Sequence, residues 1–174
     1  MINNNGILRR IRYVFDFSDS QMISIFHQAD FSVTRAEISD WLKKEDDPGC
    51  RVCTDSHLAF FLNGLINETR GKKEGGQPEP EKNLSNNAIL FKLKIALNLK
   101  AEEVLYILSL ADATISKHEL SAFFRKPGSR QYRKCNDQIL RNFLTGLQRK
   151  YRPAPDPAAE DPWGGIKPIS KTDG

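Results

Sequence analysis

Cys53-Thr54-Asp55, followed by Leu58 and by Phe61-Leu62-Asn63-Gly64-Leu65, returns 82 residues later as Cys135-Asn136-Asp137, Leu140 and Phe143-Leu144-Thr145-Gly146-Leu147. The offset holds without a gap when Asn4–Arg70 is laid on Asn86–Arg152, giving 19 identities in 67 positions. Chance would give about four, so the chain is a tandem duplication. Within each copy the apolar residues fall at i, i+3, i+4 and i+7, the spacing of one helix face. Thr54 and Asn136 stand where a side-chain oxygen caps the first free amides. Asp55 and Asp137 follow in the first turn, favoured by the helix dipole. Gly64 and Gly146 interrupt the face at a helix-propensity cost of about 1 kcal/mol each. Their recurrence predicts a close helix crossing that a Cβ would block.

The rest of each unit reads as three further helices. In the first, Asn5–Phe15 buries Ile7, Leu8, Ile11 and Val14. A second helix begins at Ser18 or Asp19 and carries Met22, Ile25 and Phe26. Thr34 and Glu37 form a capping box for a third with Ile38, Trp41 and Leu42, ended by Pro48-Gly49. The second unit repeats this over Ala88–Leu97, Ala101–Ala111, Ser116–Lys126 and Asn136–Tyr151. Asp30 and Asp112 recur before a turn whose backbone they are expected to bond. The fold class is therefore all-α: two tandem, superposable four-helix units, 1–71 and 86–152. Residues 72–85 (KKEGGQPEPEKNLS) read as an exposed linker, and the Pro-rich 153–174 as a disordered tail. One unit alone has a thin core. The two are expected to pack about a pseudo-twofold axis, with the glycine-bearing helices at the seam.

Composition bounds the function. No apolar run approaches the roughly 20 residues of a membrane span, and the start MINNNGILRRIR lacks the apolar core of a signal peptide. Three cysteines cannot all pair, which fits a reducing compartment. A soluble cytoplasmic protein with no membrane partner is the expectation. The net charge of +4 conceals an asymmetry: residues 1–71 hold 8 Lys/Arg against 10 Asp/Glu, residues 86–152 hold 13 against 5. Such an imbalance speaks to partners rather than to fold.

The Asn-rich start with ILRRIRYVF, the tryptophan helix ISDWLKKED, and Cys53-Thr54-Asp55 leading to FLNGLINETRG together resemble the YehS-like family. The resemblance covers residues 1 to about 150. It implies a bacterial cytoplasmic protein built from the same unit twice, with no established activity and no catalytic or binding residues to carry over.

Few constellations carry chemistry. Cys50-Arg51-Val52-Cys53 is a CxxC with His57 nearby, the residue types of a thiol redox pair or a zinc site. Its duplicated positions are Tyr132 and Ile139, there is no second CxxC, and Cys53 and Cys135 read as small buried residues at a helix start. The three histidines are scattered, and no phosphate loop, nucleophile elbow or zincin motif appears, so no enzyme, cofactor or metal is expected. The Phe31–Trp41 segment echoes half of a helix-turn-helix, but Glu37 and Asp40 would then face phosphates; a plain helical hairpin reads better.

The strongest functional signal is basic. Arg125, Lys126, Arg130, Tyr132, Arg133, Lys134, Arg141, Arg149, Lys150 and Arg152 interleave cations with aromatics, Tyr151 included. Arginine pairs phosphates bidentately and tyrosine stacks on bases; the same residues would also make an ordinary solvated face. Two partner classes follow: nucleic acid or another polyanion on the second unit, and, as the alternative, a protein partner received by an adaptor.

Overall fold

A computed structural model describes residues 2–153, so the expectation of a disordered tail lies, apart from Pro153, outside the described residues. Eight α-helices and no strand occur among them. They are α1 (Asn4–Phe15), α2 (Asp19–Gln28), α3 (Arg35–Leu42), α4 (Asp55–Arg70), α5 (Asn86–Ala96), α6 (Ala101–Leu110), α7 (Lys117–Phe123) and α8 (Asp137–Tyr151). The starts obey local chemistry. Ser18, Thr34, Thr54, Ser116 and Asn136 each accept a bond from an amide of the first turn, and Ser18–Gln21, Thr34–Glu37 and Ser116–Glu119 close reciprocal boxes. The side chains of Asp30 and Asp112 do not bond the turn; they meet Lys72 and Arg149 instead. Both residues take left-handed φ of 60° and 58° just past α2 and α6, and their amides donate to the carbonyls of His27 and Ser109. An aspartate tolerates that conformation where most residues do not.

The two glycines are where the unit closes. A Cβ built on Gly64 would sit 1.8 Å from the carbonyl oxygen of Ile25, and one on Gly146 1.9 Å from that of Ile107. The crossing is real, but it lies inside each unit, α4 on α2 and α8 on α6, rather than between units. The seam uses other faces of the same helices: α4 packs against α5 and α8 against α1. First helix on fourth helix, given and returned, is the pattern a twofold axis imposes. Side chains repeat it. Arg70 donates to Asn98 across the seam, and Arg152 to Asp16 at 3.2 Å. The acceptors are equivalent, both with left-handed φ at the end of the first helix of a unit. One continuous apolar core, from Ile7 and Leu8 through Phe61 and Leu62 to Phe143 and Leu147, runs through both units.

The Asn-rich start has a structural use that residue spacing did not reveal. Buried Asn5 donates to the carbonyls of Trp41 (2.9 Å) and Arg51 (2.7 Å) and accepts from the amide of Cys53 (3.0 Å). Asn87 does the same with Phe123, Arg133 and Cys135 at 3.0, 2.8 and 2.9 Å. Each asparagine thus clamps both ends of the loop between the third and fourth helices of its unit. The linker is exposed along much of its length yet tied to α4: the Ser56 hydroxyl donates to the Glu81 carbonyl, and the Leu84 amide donates to Asp55.

Candidate functional site

The α7–α8 loop, residues 124–136, holds most of the basic candidates, and its form follows from its sequence. Gly128 adopts φ of +89°, open to a glycine, and the Ser129 amide donates to Lys126 to close the turn. The Arg133 amide donates to the Ala122 carbonyl at 3.1 Å, and Asn87 holds Phe123 and Arg133 from below. The loop is therefore anchored at both ends. Arg125, Lys126, Arg130, Arg133 and Lys134 project from it exposed, and Tyr132 is half-buried.

Electrostatics separates this loop from its twin. In the first unit the α3–α4 loop is self-neutralised. Lys43 meets Asp40 at 2.7 Å, Arg51 meets the same carboxylate at 3.4 Å, and Arg9 meets Glu45 at 3.2 Å. Hydrogen bonding from Lys43, then its charge and that of Arg51, holds the Asp40 carboxyl below its ordinary range. In the second unit Asp40 is replaced by Ala122, and Glu45-Asp46-Asp47 by Pro127-Gly128-Ser129. None of the five exposed cations forms an ion pair among the described residues. Arg133 reaches Glu119 only through space.

The family model described as "protein of unknown function (DUF1456)" matches the chain twice, over residues 4–71 and 86–152. The chain belongs to this DUF1456 family. It is 41% identical over 145 residues to the uncharacterized protein YehS of Escherichia coli (strain K12), a match covering 83% of this chain and 93% of that protein. No solved structure matches it.

In this DUF1456 chain the remaining candidates are placed elsewhere. Arg149 donates to the Leu110 carbonyl at 2.5 Å, closing the end of α6; Asn67, its counterpart, closes α2 by donating to Gln28. Arg152 donates to the Tyr13 carbonyl and lies 4.2 Å over the Tyr13 ring, so it holds the seam. Lys150 is exposed beside Tyr151, and Arg141 faces a cleft between α1 and α8. The ten candidates thus divide into an exposed loop set and an α8 set of which two members bind the fold itself. Lys94, absent from the candidates, joins the loop: with Arg125, Lys117 and Phe124 it lines a hollow of about 460 Å³, its ammonium 5.9 Å from the Phe124 ring. It lies 31 residues from Arg125 in the chain. Only the helix register, α5 beside α7, brings it there.

The CxxC residues do not meet as ligands. Among the described residues no three His, Cys, Asp or Glu side chains are grouped to hold a metal. Burial pushes the Cys53 thiol up to about 12, which leaves little thiolate for redox chemistry. The Cys50 thiol donates to the Lys43 carbonyl. His57 packs 4.6 Å from the Trp41 ring, and its Nδ1 accepts the Thr54 amide as part of the α4 cap. Trp41, His57, Glu37 and the 78% exposed Val52 border an open hollow of about 530 Å³ on the first unit. No helix among the described residues is long and apolar enough to cross a membrane.

Proposed function

We propose that this chain is a non-enzymatic helical module that binds nucleic acid, or a polyanion like it, through the α7–α8 loop of its second unit. The observation that carries the reading is the set of five exposed cations on one anchored loop that has lost the carboxylates neutralising its twin. Exposed arginines and lysines without internal partners are free to replace the counterions of a phosphate backbone. Lys94 widens the same face, and Tyr132 and Phe124 offer rings on which a base can stack. A loop pinned by backbone bonds loses little entropy when it binds.

The test is fluorescence anisotropy of labelled duplex and single strands at physiological salt, comparing the wild-type chain with Arg130→Ser/Arg133→Ser/Lys134→Ser. Binding that the triple variant weakens by about tenfold or more supports the reading. Binding by the wild type weaker than about 10⁻⁴ M, below the usual non-specific range, removes it. A second reading, an adaptor that receives a protein partner, rests on the hollow at Trp41 and His57 with Val52 standing exposed at its edge. It takes precedence if nucleic acid fails.

A further inference from the structure

The pseudo-twofold axis relates two polar contacts in the seam, and they are unequally satisfied. Between α4 and α5, the Lys92 ammonium donates to Asn63 Oδ1 at 2.6 Å and meets Glu81 Oε2 of the linker at 3.1 Å. Its side chain is 14% exposed, so a carboxylate neutralises a nearly buried cation. Between α1 and α8 the equivalent residues are Arg10 and Thr145, and Arg10 Nη1 donates to the threonine hydroxyl at 3.2 Å. No carboxylate among the described residues plays the part of Glu81. Arg10 has no ion-pair partner among the described residues, and burial alone pulls its pKa down.

Arg10 does not stand alone. It lines a cleft of about 210 Å³ together with Arg9 and Arg141, bordered by Ile2 and Leu144. The carboxylate at the cleft, Glu45, is engaged by Arg9 at 3.2 Å and by the Asn3 amide at 3.1 Å. Arg141 donates to Gln138 of its own helix. Asp137, one turn away, accepts from Asn86 and from the Ile2 amide, and feels Arg141 only through space. Of the three guanidiniums at the cleft only Arg9 touches a carboxylate; among the described residues neither Arg10 nor Arg141 has one within ion-pair distance. A partly buried cation is costly until it is paired. Guanidinium forks match the oxygens of phosphate or carboxylate bidentately. A carboxylate would leave one charge uncompensated, whereas a phosphate monoester, with nearly two negative charges and three acceptor oxygens, balances both.

We infer that the cleft between α1 and α8 binds a phosphate monoester, gripped by Arg10 and Arg141 with Arg9 at the rim. The site is separate from the α7–α8 loop and stands whether or not that loop binds nucleic acid. Calorimetric titration of the full chain with inorganic phosphate and with methyl phosphate, at ionic strength held constant with chloride, tests it. The expected result is saturable one-to-one binding and a melting temperature that rises with ligand. Arg10→Gln and Arg141→Gln should each weaken binding about tenfold or more, the size of a lost charged hydrogen bond. Arg130→Ser/Arg133→Ser/Lys134→Ser should bind phosphate as the wild type does. Arg141→Gln, whose side chain bonds only its own helix, keeps the test decisive should Arg10→Gln fail to fold. A 5′-phosphorylated oligonucleotide that displaces phosphate, while its 5′-hydroxyl twin does not, supports the site and assigns the monoester to a nucleic-acid end. Displacement by neither supports it and assigns the monoester to a small molecule. A response no greater than that to chloride, displacement by both oligonucleotides alike, or an equal loss in the loop variant would overturn the inference.

Discussion

At Gly64 and Gly146 one atom decides whether a unit closes. A Cβ would lie within 2 Å of a backbone oxygen on the neighbouring helix, where no side chain can swing aside. Gly64→Ala and Gly146→Ala should therefore each lower stability by about 1–3 kcal/mol, although alanine is worth about 1 kcal/mol more than glycine in a helix. A melting temperature that rises in either variant would contradict the crossing. Asn5 is the second residue of this kind. Asn5→Ala frees two carbonyls and one amide in a buried loop end and should cost at least about 2 kcal/mol in chemical denaturation. Asn87→Ala should cost the same and also loosen the basic loop. His57 gives a pH signature. Burial against Trp41 lowers its folded pKa below the ordinary 6.5, so the unfolded chain binds the proton more readily. The stability contributed by neutral His57 is full above about pH 6.5 and is lost as pH falls through its lower folded value. Protonation also removes the Nδ1 acceptor of the α4 cap. The melting temperature should fall between pH 7 and pH 5, and less so in His57→Gln.

Among elements, the informative comparison is the α3–α4 loop with the α7–α8 loop. Their backbones are held alike, by Asn5 and Asn87 and by the amides of Arg51 and Arg133 on Asp40 and Ala122. Their charges differ, so the contrast can be reversed without touching a cation. Pro127→Glu/Ser129→Asp returns carboxylates to exposed positions that carry them in the first unit. It should weaken polyanion binding severalfold, measured by anisotropy, and leave the thermal transition within about 0.5 kcal/mol. The helices themselves were legible in the chain, because caps and i, i+3, i+4 spacing are local. The destination of each face was not. Glycine recurrence announced a close crossing but not its partner, which is α2 or α6 rather than the opposite unit. The Asn5 and Asn87 clamps reach 36 to 48 residues along the chain, and no local pattern encodes that reach. The candidate site was legible in part for the same reason. The loop cations are contiguous in the chain, so their grouping on one exposed loop could be read from it. Lys94 was distant and missed, and the capping uses of Arg149 and Arg152 became visible only with α6 and α1 in place.

Over the whole molecule, duplication has kept one framework and let its two surfaces diverge. The seam is reciprocal, α1 on α8 and α5 on α4, and it is built from the apolar positions the copies share. The charge is not reciprocal: 8 Lys/Arg against 10 Asp/Glu in residues 1–71, and 13 against 5 in residues 86–152. On the proposed function, such a scaffold would meet a polyanion through its second unit alone. The most direct measurement is the salt dependence of binding to a labelled duplex, taken in parallel for the wild-type chain, for Arg130→Ser/Arg133→Ser/Lys134→Ser and for Arg51→Ser. The account predicts a log–log slope near −0.9 for each phosphate the wild type neutralises. That slope should become shallower by up to about three contacts in the triple variant and stay unchanged in Arg51→Ser, whose guanidinium is already paired with Asp40. Slopes that are identical in all three proteins would contradict it.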